Sequence, residues 1–278
     1  MHSRQELADH FRKLGVAPGD TVMLHASIRA VGAVAGGPDQ IHLALKDALT
    51  ADGMLIMYAG CPRHFDELGR GRLTPDEEKE LVEKLPPFDP QTARADRDNG
   101  ALVELLRSYP DSRASSHPAR FVAWGGQAET VLSDQPWHFA VGRDSPLDRL
   151  QQRDGKILLL GSDHDQVTFL HYVEHVADFS GKRVARYRVP IEEAGKRVWR
   201  EVEEFNTAGD GVHPHWPDRF FAKIVDGFLA KTNNQGGLVG DARSWLFSAR
   251  GLLESAMPIM KSVAADARAA AGLRERAR

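Results

Sequence analysis

One cysteine, Cys61, stands alone in 278 residues. A lone thiol makes no intrachain disulfide, so cysteine usage does not tie the fold to an oxidising compartment. No stretch approaches 18 consecutive apolar residues, and a transmembrane helix is therefore not expected. Met1 to Phe11 carries charges and lacks an apolar core of signal-peptide length. Excess charge of one sign is missing too: 36 Lys and Arg face 39 Asp and Glu, a formal charge of −3. That balance supplies no long-range field to gather nucleic acid or an anionic membrane. Neither the Walker pattern nor Gly-x-Gly-x-x-Gly occurs, and there is no internal repeat. These absences point to a cytoplasmic protein with no nucleic-acid or membrane partner.

With 42% apolar and 27% charged residues, the composition is that of a globular protein. Ser3-Arg4-Gln5-Glu6 has the form of a capping box, with Leu7, Phe11 and Leu14 following at helical spacing. Thr21 to His25 reads as a buried strand, and a glycine-rich loop then leads to Pro38 at a helix start. Ile41, Leu45 and Leu49 mark one face of that helix, and Met54 to Tyr58 is a second strand. This order favours an α/β fold, a three-layer-like sandwich of a central sheet flanked by helices.

The stretch 62–98 breaks the pattern with five prolines and many charges. It reads as an inserted acidic segment with one short helix, Pro75 to Leu85, and long insertions in compact domains are commonly functional. A helix from Ala101 to Ser108 follows, then strands at Phe121 to Trp124 and Ile157 to Leu160. A further helix runs from about Val167 to Ala177, and a hairpin turns at Ala194-Gly195. From 217 to 278 the chain reads as mostly helical. All of 1–278 is expected to form a single domain.

Three stretches could carry chemistry. In the first, Gly161 to His175, a loop leaves the carboxyl end of an apolar strand, the usual ligand side of an α/β sheet. On the helix after it, His171 lies one turn from Thr168, Glu174 and His175. A histidine beside a carboxylate is a general-base arrangement, because the carboxylate fixes the tautomer and stabilises the imidazolium. A histidine merely satisfied by a salt bridge has the same spacing. His171-Tyr172-Val173-Glu174-His175 also spells a His-x-x-Glu-His zinc motif, although no third ligand is evident and no metal is expected. The second stretch, His25 to Gly37, is a small-residue loop where backbone can approach a ligand closely. The third is Arg113 to Pro118, in itself an ordinary turn.

Taken together, these stretches resemble the aminoglycoside 3-N-acetyltransferases. Leu14-Gly15-Val16, Gly19-Asp20, His25-x-Ser27, Gly32 and Gly36-Gly37 are similar to that family's opening signature. Ser115-x-His117-Pro118, Ala123-Trp124-Gly125, Ser145-Pro146 and Leu158-Leu159-Leu160-Gly161 follow in the family's order. Thr168-x-x-His171-x-x-Glu174 and Glu203-Glu204-Phe205 complete a likeness spanning roughly residues 10 to 255. The resemblance implies the antibiotic acetyltransferase fold, acetyl-CoA as co-substrate and an aminoglycoside as acceptor. It implies His171 as catalytic base, and Glu174 or a neighbouring carboxylate is expected to steady the imidazolium. It places His25, Ser27, Gly32, Ser115, His117 and Thr168 around the acetyl-CoA channel. Glu204 and Asn206 would face the drug, and the charge argument adds Asp66, Glu67, Asp89 and Glu203 as carboxylates for a polycation. The usual His-Ser-Ser is His25-Ala26-Ser27 here, the proline-ended second strand is Met57 to Cys61, and Asn206 stands where Asp is common.

The expected reaction is direct transfer to the 3-amino group, giving antibiotic resistance, with backbone N–H groups near Ser27 at the oxyanion. Cys61, without a nearby base in sequence, is not expected to carry the acetyl group. A zinc peptidase and a non-catalytic binder of cationic ligands are the other two classes the residues allow.

Overall fold

The structure is a computed structural model that describes residues 1–60, 62–207, 212–214 and 216–276. The first helix, α1 (Arg4–Leu14), begins on the expected capping box: Ser3 Oγ accepts from the Glu6 amide, and the Glu6 carboxylate accepts from the Ser3 amide at 2.7 Å. Strand β1 (Thr21–Ala26) is followed by the one-turn α2 (Ile28–Val31), then α3 (Asp39–Leu49) and β2 (Met54–Gly60). Next come α4 (Pro75–Lys84), α5 (Ala101–Ser108), β3 (Ser112–Ala114), β4 (Arg120–Trp124), α6 (Ala128–Leu132), α7 (Pro146–Gln152) and β5 (Lys156–Leu160). The chain continues through α8 (Phe169–Val176), the hairpin β6 (Val184–Glu193) and β7 (Lys196–Phe205), and α9 (Phe220–Lys231). It closes with β8 (Gly237–Val239), β9 (Ala242–Ser248) and α10 (Ala249–Arg276).

Seven strands make one mixed sheet in the order β3-β4-β2-β1-β5-β9-β8, with β1 parallel to both β2 and β5. Central strands of such a sheet are covered on both faces, which is why β1, β2 and β5 read as unbroken apolar runs. Successive side chains go to opposite layers. Ile157 and Leu159 join one core with α7, α8, α9 and α10, while Leu158 and Leu160 join a second core with α1, α3 and α5. This is the expected three-layer sandwich. The part from 217 to 278 holds two strands besides its helices, and β9 pairs antiparallel with β5 from Lys156–Ser248 to Leu160–Ser244. Periodicity did not expose β9 because only Ala242, Ser244 and Phe247 of its seven residues are buried, and two of those are small.

A third, smaller core sits apart from the sheet. Phe65, Leu68, Leu85 and Phe88 of the stretch 62–98 pack on Val189, Ile191 and Val202 of the hairpin. The backbone of Phe88 joins in: its N–H donates to Pro190 O, and its carbonyl accepts from the Glu192 N–H. Among the described residues no helix is long and apolar enough to cross a membrane.

The site is positioned by the neighbouring strands β1 and β5, whose ends lie side by side at Ala26 and Leu160. The chain leaves β1 toward α3 on one face of the sheet and leaves β5 toward α8 on the other. Connections that depart to opposite faces open a crevice beyond the carboxyl ends of the strands, the usual ligand position in α/β sheets.

Candidate active site

Gly161 ends β5 with φ +62, and a Cβ there would stand 2.4 Å from the Cβ of Ala30. Only glycine permits this turn, which brings the β5 loop against α2. Asp163 then accepts the Asp165 amide at 2.8 Å and pairs with Arg219 at 2.6 Å. Asp165 Oδ1 accepts the Ala222 amide at 3.0 Å, so the same loop fixes the start of α9. One turn into α8 stands His171.

Its Nδ1 lies 2.7 Å from Oε2 of Glu174, a carboxyl that is fully buried. The other oxygen of Glu174 accepts Trp216 Nε1 at 2.7 Å. A carboxylate can only accept, so Nδ1 carries the proton and Nε2 keeps the lone pair. Nε2 has no hydrogen-bond partner among the described residues, and the ring is edge-on to Phe221 at 4.9 Å. His171 is thus an oriented imidazole with one ring nitrogen free of hydrogen bonds among the described residues.

Two clefts meet beside it. One, of about 360 Å³, holds His171 and has among its described lining four carboxylates, Asp96, Asp98, Asp165 and Glu204, against one arginine, Arg70. The other, of about 760 Å³, is walled by His25, Ala26, Ser27, Arg29 and Ser162, with Arg29 the one lysine or arginine among its described lining. Tyr58, Asp98, Asn99, Gln166 and Thr168 line both, so the clefts are continuous. Both are of the size that holds small molecules. An acidic chamber suits a polycation, and an imidazole on its wall, one turn from Thr168 in the wall shared with the second chamber, is within the same site.

Residues 23–261 match the family model for aminoglycoside 3-N-acetyltransferase. The chain belongs to that family. As a member it is an acyltransferase, and acetyl-CoA is its co-substrate. It is 42% identical over 266 residues to aminoglycoside N(3)-acetyltransferase III of Pseudomonas aeruginosa, covering 94% of each chain. It is 36% identical over 257 residues to aminoglycoside N(3)-acetyltransferase VIII of Streptomyces fradiae, covering 89% of this chain and 87% of that one. Among solved structures it resembles AAC-IIIb in binary complex with CoASH, with TM-score 0.87, 38% identity and coverage of 94% and 97%. It likewise resembles AAC-VIa bound to sisomicin, with TM-score 0.86, 33% identity and coverage of 94% and 98%.

For this acetyltransferase the residues expected from sequence fall into three groups. His25, Ser27 and Thr168 line the second cleft, while His171 and Glu204 line the acidic one. His117, expected in the acetyl-CoA channel, also lies in the acidic cleft, stacked near Trp137 at 4.9 Å. Burial pushes both His25 and His117 down to about 4. The remaining expected residues are not among the lining of either cleft. Gly32 ends α2 with φ +85 against the Asp241 side chain. Ser115 accepts the Phe121 amide at 3.1 Å, and Glu67 meets His64 at 3.2 Å on the surface. Asp89 folds back on its own turn, accepting from the Gln91 amide and from Thr92 Oγ1 at 2.6 Å. Glu203 pairs with Arg186 at 2.6 Å, and Asn206 Nδ2 donates to Arg70 O at 3.2 Å. The side chain of Asp66, and Cys61 altogether, lie outside the described residues.

Glu204 has both oxygens engaged. Oε1 meets His175 Nε2 and accepts the Phe205 amide at 2.9 Å, while Oε2 accepts the Ala140 amide at 2.7 Å. Burial pushes this carboxyl up, but the hydrogen bonds from His175 and the two amides outweigh it and hold it below its usual value. His175 meets the backbone carbonyl of His171 through its other nitrogen at 2.7 Å. With both ring nitrogens engaged by protein, His175 offers no metal a lone pair, and the His-x-x-Glu-His reading fails on geometry. Ser27 N–H donates to Leu160 O at 2.9 Å, and the Ala30, Val31 and Gly32 amides are engaged within α2 and its cap, so the amides available at that loop are those of Ile28 and Arg29. Sequence reasoning missed Asp96, Asp98, Asp165 and Trp216 as site residues. The acidic stretch ended on Asp98 and the key loop contained Asp165, but nothing local marked Trp216.

Proposed function

We propose that this enzyme transfers the acetyl group of acetyl-CoA directly to the 3-amino group of an aminoglycoside, with His171 as general base. The observation that carries this is the fixed tautomer: Nδ1 on buried Glu174 leaves Nε2 free on a ring that lines the acidic cleft, one turn from Thr168, which lines both clefts. The drug's ammonium groups suit the cleft walled by Asp96, Asp98 and Asp165, and the thioester enters along His25, Ser27 and Thr168. Relatives in complex with CoASH and with sisomicin support the two classes of ligand.

The amine nitrogen attacks the thioester carbonyl carbon as His171 Nε2 takes its proton. Glu174, already on Nδ1, stabilises the imidazolium that forms. Backbone N–H groups after Ser27 face the oxyanion, each good donor being worth on the order of 3 kcal/mol. The carbon–sulfur bond then breaks, its electron pair goes to sulfur, and the imidazolium proton passes to the departing thiolate. Amide and free CoA result, and no acyl-enzyme is needed. The protein acts in the cytoplasm, where its co-substrate is made, and confers antibiotic resistance.

A thiol-release assay with acetyl-CoA tests this against aminoglycosides with and without a free 3-amino group. Thiol release confined to drugs with that amine is the expected result, whereas equal release from both sets would refute the assignment.

A further inference from the structure

Among the described residues Glu174 is the one group on His171 Nδ1, and it is itself held from the far side. Trp216 Nε1 reaches its second oxygen at 2.7 Å, so the three side chains form one chain of hydrogen bonds ending at the free Nε2. Trp216 lies 42 residues after Glu174, and it is clamped as well as bonded. Its ring packs 4.7 Å from Phe220 and 5.2 Å from Phe179, centroid to centroid, and its amide donates to His213 O at 3.1 Å. Five residues on, Phe221 sets the other side of the site by resting on the His171 ring. One segment, 216–221, therefore controls both the carboxylate behind the base and the ring surface of the base.

We infer that Trp216 is a positioning residue for the transfer reaction, acting on His171 through Glu174. The inference rests on His171 as base but makes a claim of its own. The indole N–H shares the negative charge of Glu174 and stops the carboxylate from rotating off Nδ1. A bond to a charged acceptor is among the stronger hydrogen bonds, so its loss should be measurable. Without it, the undivided charge of Glu174 holds the imidazolium more tightly, and the His171 titration midpoint must rise.

Trp216→Phe removes the donor and keeps an aromatic ring in the stack. The His171 ring is followed by NMR titration in the free enzyme, and the pH–rate profile is measured in parallel. Among the described residues, the other titratable or charged groups near the pair are Arg70, Asp96, Asp98, His117, Asp165 and Glu204 from the acidic cleft, His175 one turn along α8, Lys182 beside Glu174, His213 against the Trp216 ring, and Asp218 and Arg219 ahead of α9. None of them changes in the variant. We expect the midpoint to rise by about half a pH unit, and kcat to fall about tenfold with both KM values nearly unchanged. In a Glu174→Gln background, Trp216→Phe should add nothing to the midpoint. An unmoved midpoint, or a shift that persists without the Glu174 carboxylate, overturns the inference. A midpoint that rises while the pH–rate profile stays fixed upholds Trp216 as the group that sets His171 and removes His171 as the base.

Discussion

Two histidine–carboxylate pairs lie one helical turn apart on α8, and they have opposite characters. His171 is 31% exposed at its side chain and meets Glu174 through one nitrogen only. His175 is 3% exposed, meets Glu204 at 2.5 Å, and has its second nitrogen on a backbone carbonyl. Proximity to a carboxylate is common to both. What separates a base from a strut is a free nitrogen facing a cleft. The closed pair joins α8 to the hairpin and, through the Ala140 amide, to the loop before α7. The open pair has an end free of hydrogen bonds among the described residues, and the proposed chemistry uses it.

The largest way to break this contrast is His171→Ala. Losing a general base typically costs about 10²–10⁴-fold in rate. We expect kcat to drop by that factor while thermal unfolding stays close to the parent's. Activity within about twofold of the parent would remove His171 from the mechanism.

His175→Ala should do the reverse. It leaves Glu204 buried without its partner, a change that costs about 3–5 kcal/mol, or roughly 10 °C in melting temperature for a domain of this size. The activity lost should be in proportion to the protein unfolded. A variant with the parent's melting temperature and a raised KM for the drug would instead make the pair a substrate contact.

Other histidines sharpen the comparison through pH. Burial pushes His25, His42 and His117 down to about 4, well under the free value. Between about 6.5 and 4 the unfolded chain binds protons there that the folded chain refuses. Stability is therefore fully present above about 6.5 and declines as pH falls through that window. The slope is about 1.4 kcal/mol per pH unit for each such group, and His42→Gln should flatten it. Since His25 and His117 stay neutral from pH 5 to 8, the acid limb of the rate profile in that range should survive His117→Asn. Its disappearance would transfer the base to His117.

The smallest effect is expected from Cys61→Ser, whose turnover should stay within about twofold of the parent's. Mass spectrometry showing acetylated Cys61 after mixing with acetyl-CoA alone would replace direct transfer with a two-step route.

Much of the scaffold was legible in the chain. Strands β1 and β5 are continuous apolar runs because both faces are covered, and α1 carries its capping box in four residues. The strands β8 and β9 were hidden, since β9 mixes Arg243 and Ser244 among its apolar positions and takes its identity from β5. The pairing of His171 with Glu174 is local, three positions on one helix, and so the sequence displays it. Asp165 and Asp98 reach the same wall from separate loops, and Trp216 closes on Glu174 from beyond the hairpin. Such meetings are products of topology, and no spacing rule announces them. The carboxylates chosen from composition, Glu67, Asp89 and Glu203, are half-buried beside local partners, which is why they pair locally instead of lining a cleft.

The small core between the stretch 62–98 and the hairpin has a consequence for how drug range can change. Arg70, Asp96, Asp98, Tyr187 and Glu204 reach the acidic chamber from these two elements or their margins, while His171 and Glu174 stand on a helix packed in the main sheet's core. On the proposed assignment, three of the four described carboxylates that would hold the drug, Asp96, Asp98 and Glu204, thus stand on or beside a different hydrophobic core from the base. Residues can be exchanged on the recognition side, altering which amine-bearing rings fit, while the helix that aligns the base keeps its packing. In evolutionary terms the enzyme has a fixed engine and a replaceable front, and a shift in antibiotic spectrum need not pass through a catalytically crippled intermediate.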